Sequence, residues 1–198
     1  MYARSYLCFQ IALEEFGKLP MINTIAWQVN EKKKVDWKKL NKRLRDHHSK
    51  NKQNILMAKS FMSIIMQEYV INGLEKVTIE DAIKAIDNFF KESIKKNPKL
   101  WVSLQLMMEY QATEKWDDIE QKAKKRNELK NSSLYADYSE GEFVSPNERI
   151  RMEEARDICM AALIQKKIID QADIHKTGFN FGTLTTDDIP TLKNYYKG

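Results

Sequence analysis

The sequence predicts an all-α protein, and three observations lead to that prediction. Apolar residues recur at three- and four-residue steps through most of the patterned stretches, as on one face of a helix. Only six glycines and four prolines occur in 198 residues, too few for an architecture of many tight turns. Helix-start signals precede several of the apolar patterns, at Asp36, Thr78, Pro98 and Ser145.

The expected elements follow from these patterns and from the turn residues between them. In chain order they are a helix over 2–19, a connector over 21–34, a helix capped by Asp36, a core helix over 55–71 that stops at Asn72-Gly73, helices starting at Thr78 and Pro98, a polar helix over 114–130, a turn-rich loop over 131–144 and a long helix from Ser145 to about residue 172. We expect one domain over residues 1–175 and an irregular tail over 176–198.

Two features of these helices need an explanation. Gly17 lowers helix stability, so we expect either another backbone close to it or a helix end nearby at Pro20. The methionines of the core helix, Met57, Met62 and Met66, are expected to fill the core and to have no functional role.

Composition excludes several classes of protein. Cys8 and Cys159 are the only cysteines and lie far apart, which indicates neither a disulfide framework nor a metal-ligand cluster. Charged residues interrupt the first apolar run, so it does not resemble a signal peptide, and no stretch reaches transmembrane length. We therefore predict a cytoplasmic protein without membrane association, metal or cofactor, and we find no zinc pattern, phosphate-binding loop or nucleophile elbow.

Positive charge is concentrated between Glu31 and Gln53. This stretch contains ten lysines and arginines against three acidic residues, a larger excess than the net charge of +5 of the whole chain. Such a patch favours a polyanionic partner such as nucleic acid. A solvated loop and helix face is the alternative interpretation, and it is the commoner origin of a run of charges.

The segment from Arg43 to His48 is the strongest candidate for chemistry. It contains two of the three histidines of the chain, beside two arginines. Histidine can accept or donate a proton near neutral pH, and arginine binds phosphate oxygens with a planar fork of donors. Together they have the groups that cleavage of a phosphodiester without a metal would need, although a polar surface turn would have the same composition. His175 lies near the tail and is expected to be a bystander.

Several motifs resemble those of one family and occur in its order along the chain. The motifs are Ala12-Leu13-Glu14-Glu15-Phe16-Gly17-Lys18, then Trp37, Arg43 and His48-Ser49-Lys50, and then Leu134-Tyr135-Ala136-Asp137 and Pro146. On these motifs the chain resembles the AbiV family of abortive-infection proteins, a branch of the HEPN superfamily. Arg43, Leu44, three further residues and His48 also match the pattern of HEPN nucleases.

The resemblance implies an antiparallel HEPN-like bundle of about four to five helices, with additional C-terminal helices here. It also implies a homodimer in which the two motifs face each other and form one RNA-cleaving cleft that needs no metal, and a role in bacterial defence against phage. The bundle of the superfamily usually has a helix before the Glu-Glu-x-Gly-Lys helix, and this chain starts too late to show a complete one. We expect the fold to be completed differently, or the dimer to supply the packing.

The resemblance also suggests a role for each residue of the motif. His48 would move the proton, with His47 as a rival base, and Arg43 would hold the scissile phosphate. Residues 43 and 48 are about 140° apart on an ideal helix, so the pair needs a broken helix or a second subunit. The remaining candidate residues are Arg45, Lys42 and Lys50 for RNA binding, with Arg45 also a substitute phosphate clamp, and Glu14, Glu15 and Lys18 as supporting groups or as an ordinary surface pair.

Two other functions are consistent with the sequence. The chain could be a non-catalytic HEPN module that blocks infection by binding a phage or host protein, with Tyr135 or Tyr138 at the contact. It could also be a helical protein that binds nucleic acid nonspecifically through its basic face. The sequence alone does not decide whether the protein is an enzyme.

Overall fold

The structure is a computed structural model that describes residues 1–71, 78–114, 116–139 and 141–174. The all-α prediction is confirmed: these residues form nine α-helices and one short β-hairpin. The helices are α1 (Tyr2–Phe16), α2 (Lys18–Asn30), α3 (Trp37–Arg45), α4 (His47–Ile71), α5 (Ile79–Phe89), α6 (Pro98–Thr113), α7 (Asp117–Leu134), α8 (Pro146–Arg149) and α9 (Met152–Ile174). A π-helical turn (Phe90–Ile94) extends α5, and β1 (Asp137–Ser139) pairs with β2 (Glu142–Val144) in antiparallel register.

Short breaks give more helices than the four to five that the resemblance implies. Gly17 separates α1 from α2, and Asp46 separates α3 from α4. The long helix expected from Ser145 starts with the predicted capping box, in which the Ser145 N–H donates to the Glu148 carboxylate at 2.5 Å. It is then interrupted at Ile150, whose extended backbone places its side chain in the core beside α1.

The connector predicted over 21–34 is wrong, because α2 occupies most of it. Pro20 does not end a helix here but lies in the first turn of α2, where its missing N–H breaks no hydrogen bond. Trp27 is fully buried and packs with Val102 and Leu106 of α6. This burial holds α2 against the bundle.

Gly17 lies where the junction of α1 and α2 crosses the backbone of α4. A Cβ atom on Gly17 would stand 2.5 Å from the carbonyl oxygen of Lys50 and 3.1 Å from the side chain of Asn54. The backbone of Gly17 is helical, with φ −63° and ψ −14°. The close approach of another backbone, one of the two expected explanations, therefore accounts for the glycine.

The largest core cluster lies between α4, α5, α6 and α9. It is built around the aromatic rings of Phe61, Phe90 and Trp101, whose centroids are 5.2–6.3 Å apart. Met57 belongs to this cluster as expected, but Met62 and Met66 are about half exposed. The prediction that all three methionines fill the core is therefore wrong for two of them.

A second core cluster joins α1 to α9, and a third joins α4 to α7. In the first of these, Tyr6 and Leu13 of α1 pack against Ile158 of α9. In the other, Ile55 of α4 packs against Ile119 of α7. Helices α1, α4 and α7 are thus held side by side, which brings their polar residues together.

The loop predicted over 131–144 is also partly wrong. Helix α7, expected over 114–130, runs instead from Asp117 to Leu134, and the β-hairpin follows it. Gly141 lies in the hairpin turn with φ +90°, a backbone conformation that glycine adopts at little cost. Tyr138 lies opposite Phe143 across the strands, with ring centroids 5.2 Å apart, and both rings are exposed to solvent.

Three predictions fall outside the described residues: the helix stop at Asn72-Gly73, the bystander role of His175 and the irregular tail over 176–198. The capping box at Thr78 is described, and it forms as predicted with Asp81. In the described part of the chain, no helix is long and apolar enough to cross a membrane.

We predict that Gly17→Ala destabilises the protein, because its Cβ would lie 2.5 Å from the Lys50 carbonyl oxygen. The free energy of unfolding, measured by urea denaturation, should fall by about 1–3 kcal/mol. In open space the same change would raise it by about 0.4–1 kcal/mol, because alanine restricts the unfolded chain. Gly141→Ala is the comparison: it meets nothing within 4 Å, and its positive φ should cost about 1–2 kcal/mol. A Gly17→Ala protein as stable as wild type would contradict the close approach.

Candidate functional site

The break between α3 and α4 determines where the Arg/His segment points. Asp46 has an extended backbone, with φ −76° and ψ 115°, and α4 starts at the next residue. The Asp46 carboxylate accepts hydrogen bonds from the backbone N–H of Ser49 at 2.9 Å and from its hydroxyl at 2.5 Å. Burial raises the pKa of Asp46, but these bonds outweigh it, and the net pKa is lowered. The charged side chain thus caps α4 and fixes the break.

His47 reaches a buried charge cluster between α1, α4 and α7. Its Nδ1 lies 2.5 Å from Oε2 of Glu14 and 2.9 Å from Nζ of Lys130. The carboxylate of Glu14 also accepts hydrogen bonds from Lys130 at 3.0 Å and from Gln10 at 3.4 Å, and lies 3.4 Å from the Lys50 ammonium. Nδ1 can therefore donate a proton to Glu14 or offer its lone pair to Lys130.

Glu14 is almost fully buried, yet its environment favours the charged form. Burial alone raises the pKa of a carboxyl, but the hydrogen bonds and charges of Lys130 and His47 outweigh it and lower the pKa of Glu14. A buried carboxylate needs such partners, since desolvation without them is costly. The His47 ring itself is 52% exposed at the side chain, so a ligand can reach it.

His48 contacts a different part of α7. Its Nε2 lies against Oε2 of Glu120, and the other oxygen of that carboxylate accepts a hydrogen bond from Lys52. The hydrogen bond from Lys52, with a smaller contribution from His48, lowers the pKa of Glu120. Glu120 and Lys130 are ten residues apart on α7, about 15 Å along its axis. The two histidines thus point in opposite directions along α7, each towards a carboxylate.

Arg43 contacts neither carboxylate that the histidines contact and is anchored on α6. Its two terminal nitrogens donate to the two oxygens of Glu109, which also accepts a hydrogen bond from Gln53. Glu109 is 4% exposed, and its burial outweighs the opposing effect of Arg43 and Gln53, so the net pKa of its carboxyl is raised. The pair faces a cleft of about 410 Å³ between α2 and α3, which also contains Lys33 and Lys39.

A protein-family model for AbiV, a HEPN family, matches residues 1–166. The chain belongs to the AbiV family. The match covers both helices that flank the break and every residue of the Arg/His segment, so the resemblance seen in the motifs is confirmed. No match is found among curated proteins or among solved structures.

The other predicted site residues of this family member differ in exposure. Arg45 and Lys42 are exposed on α3, beside the break. Lys50 was expected to bind RNA, but it is 5% exposed and its ammonium faces Glu14. Glu15 and Lys18 form an ion pair at 2.6 Å at the surface, whereas Glu14 is buried and belongs to the charge cluster. Among the described residues, no group of three or more histidine, cysteine, aspartate or glutamate side chains is arranged to hold a metal ion.

Sequence reasoning missed three of the residues that contact the Arg/His segment, Glu109, Glu120 and Lys130. Glu109 carried a usable signal, because it is an acidic residue inside the otherwise apolar pattern of α6. Glu120 and Lys130 carried none, since both lie in a helix rich in charged residues. Their partners lie 66 to 83 positions away, a separation that no local pattern reveals.

We predict that Glu14→Gln costs about 3–5 kcal/mol of unfolding free energy at pH 7, because Lys50 and Lys130 would be left buried without an anion. The pKa of Glu14 is lowered in the folded protein, so its charge stabilises the fold above the ordinary value of 4.5. This contribution is lost as the pH falls through the folded-state value.

Denaturation at a series of pH values measures this effect, and the difference between wild type and Glu14→Gln should shrink below about pH 4.5. Glu15→Gln is the matched control, since its exposed pair should contribute about 0.5 kcal/mol or less. A difference that grows in acid would contradict the assigned charge state.

We predict strong coupling between Arg43 and Glu109. Arg43→Met or Glu109→Met alone should each cost about 3–5 kcal/mol, because each leaves a buried charge unpaired. The double variant should cost less than the sum of the two by at least about 1 kcal/mol. Urea denaturation of the four proteins measures the coupling, and Lys42→Met, at an exposed position, is the control. Additive costs would show that the ion pair is not what holds α3 to α6.

Proposed function

We propose that this protein provides phage resistance by abortive infection, and that it does so by cleaving RNA without a metal, as a homodimer. One observation supports the proposal most directly. Two histidines stand at a break in the Arg/His segment, each 38–52% exposed at the side chain, and each ring contacts a carboxylate. Carboxylate partners orient an imidazole and stabilise its protonated form, as general acid–base catalysis requires.

The proposed reaction is an internal transfer at phosphorus. The RNA 2′-oxygen attacks the adjacent phosphorus, the bond to the 5′-oxygen of the next nucleotide breaks, and a 2′,3′-cyclic phosphate and a 5′-hydroxyl result. His48 takes the 2′-hydroxyl proton or gives one to the leaving 5′-oxygen. Because His47 of the same chain points the other way along α7, His47 of the second copy in the homodimer is the candidate for the complementary step. The Glu120 and Glu14 carboxylates stabilise each imidazolium while it carries the extra proton.

Phosphate binding needs a cation that is not already engaged. The guanidinium of Arg43 is paired with Glu109, so in this proposal Arg43 positions α3 and does not contact the substrate. Arg45 and Lys42 are exposed on the same short helix and are the candidates to bind the phosphate. The homodimer belongs to the proposal because a second copy would bring a second set of these cations to the cleavage site at the Arg/His segment.

A second candidate function is suggested by the exposed aromatic hairpin. Tyr138 and Phe143 contact each other on its surface, with Phe143 79% exposed, and Tyr135 precedes the hairpin with its side chain in solvent. Exposed aromatic clusters are typical of protein-binding sites. On this alternative the protein blocks infection by binding a phage or host protein, and the histidines only stabilise the fold.

We predict that His48→Ala and His47→Ala each lower metal-free RNA cleavage by about 10²–10⁴-fold, the usual contribution of a proton-transfer group. The measurement is cleavage of RNA by purified protein in excess chelator, with the mass of the oligomer determined for every variant. Lys38→Ala removes one exposed cation of α3 but no proton-transfer group, and should change the rate by less than about tenfold.

Phage challenge of cells that express the same variants separates the two functions. Under the nuclease proposal, both histidine variants lose protection, while Phe143→Ser retains it. Protection that survives both histidine substitutions and is lost in Phe143→Ser would refute the nuclease and favour the binding protein.

A further inference from the structure

A second cleft, of about 440 Å³, opens between α1, α4, α7 and α9, away from the Arg43–Glu109 pair. It lies along the face of α4 that begins at His47 and continues through Asn51 to Ile55 and Ala58, so it starts about 12 Å from His47 along the helix axis. Its volume is within the usual range for small-molecule sites in proteins, about 300–1,000 Å³.

Arg126 of α7 lines this cleft with an unsatisfied donor group. Its Nη1 is shielded from solvent and has no hydrogen-bond partner among the described residues. Burial lowers the pKa of Arg126, and Tyr6 on the facing wall only partly opposes that effect. An N–H group that is shielded from solvent and has no acceptor is costly, so its presence calls for an explanation.

The other charges of the cleft leave this cation uncompensated. Lys122 and Lys125 flank Arg126 on α7. The two acidic residues that line the cleft have partners elsewhere: Glu154 pairs with Arg151 at 3.3 Å, and Asp157 pairs with Arg156 at 3.5 Å.

Lys59, on the α4 wall, donates a hydrogen bond to the carboxylate of Asp118 at 2.5 Å. Asp118 does not line the cleft. Arg126 and Lys125 therefore have no acidic partner among the described residues, and the α7 wall of the cleft carries excess positive charge.

Apolar side chains form the rest of the cleft. Ile55, Ala58 and Met62 line it from α4, and Leu129 and Ile158 line it from α7 and α9. Met62 was expected in the core, yet it is 51% exposed at the edge of this cleft. A group of cations beside an apolar wall matches a ligand with an anionic head and an apolar body.

We propose that this cleft binds a small organic anion, with its anionic oxygens on Arg126 and Lys125 and its apolar body between α4 and α9. The ligand satisfies the buried Nη1 group and covers the apolar wall, which are the two unfilled requirements of the cleft. The site is separate from the Arg/His segment, and the proposal does not depend on nuclease activity.

Calorimetric titration with phenyl phosphate, at low salt and neutral pH, tests the proposal. Wild type should bind one equivalent saturably, and Arg126→Met should weaken the affinity at least tenfold. Lys124→Met removes the same charge from the solvent face of α7, where the side chain is 77% exposed, and should change the affinity less than twofold. Without ligand, Arg126→Met should melt at or above the wild-type temperature, because it removes a shielded donor group that has no acceptor.

Further titrations define the ligand. Ala58→Phe fills the space beside the apolar wall. It should therefore weaken the affinity for phenyl phosphate at least fivefold and leave the weak binding of inorganic phosphate unchanged. If Arg126→Met does not fold, the Ala58→Phe titration alone tests the proposed site. Phenylacetate in place of phenyl phosphate shows whether the head group is a phosphate or a carboxylate. His48→Ala should bind phenyl phosphate as wild type does, which separates this site from the proposed nuclease.

Several results would overturn the proposal. They are the absence of saturable binding of either compound by wild type, equal losses in Arg126→Met and Lys124→Met, and a lower melting temperature in Arg126→Met with unchanged affinity. The last result would give Arg126 a structural role only.

Discussion

Buried carboxylates that face the Arg/His segment are the constraint on which the rest of the structure depends. Glu14 of α1 and Glu109 of α6 are both nearly inaccessible to solvent, and each needs a cation to remain charged. The segment supplies Arg43 to one, and the other lies against Nδ1 of His47 and the ammonium groups of Lys50 and Lys130. Because these partners belong to different helices, the break at Asp46 is needed to reach both of them.

The same contacts relate the proposed chemistry to stability. A histidine whose ring rests on a carboxylate is oriented for proton transfer, but it also contributes to holding α4 against α1 and α7. The polar contacts continue along α4, where Asn51 accepts a hydrogen bond from Gln10 at 2.6 Å in a fully buried position. For any variant of a residue in these contacts, the stability of the fold therefore has to be measured together with the activity.

Local features of the fold could be predicted from the sequence, and long-range ones could not. The capping box at Thr78 depends on residues three apart, and it forms as expected. Gly17 indicated a close backbone correctly, although not which helix would supply it. Pro20 was interpreted as a helix end because the sequence does not show where α2 begins. A proline ends or kinks a helix when it lies inside it, but it is tolerated in the first turn, where Pro20 lies. The sequence singled out Arg43 but not Glu109, its partner 66 positions away.

The most direct test of the central claim compares an RNA oligonucleotide with DNA of the same sequence, both incubated with the purified protein in excess chelator. The proposed site at the α3–α4 break uses the 2′-hydroxyl as nucleophile and histidines as proton carriers. The account therefore predicts that RNA is cut to fragments with 2′,3′-cyclic phosphate and 5′-hydroxyl ends, and that DNA stays intact. Equal cleavage of the RNA and the DNA oligonucleotide, or RNA fragments with 3′-hydroxyl and 5′-phosphate ends, would contradict the account.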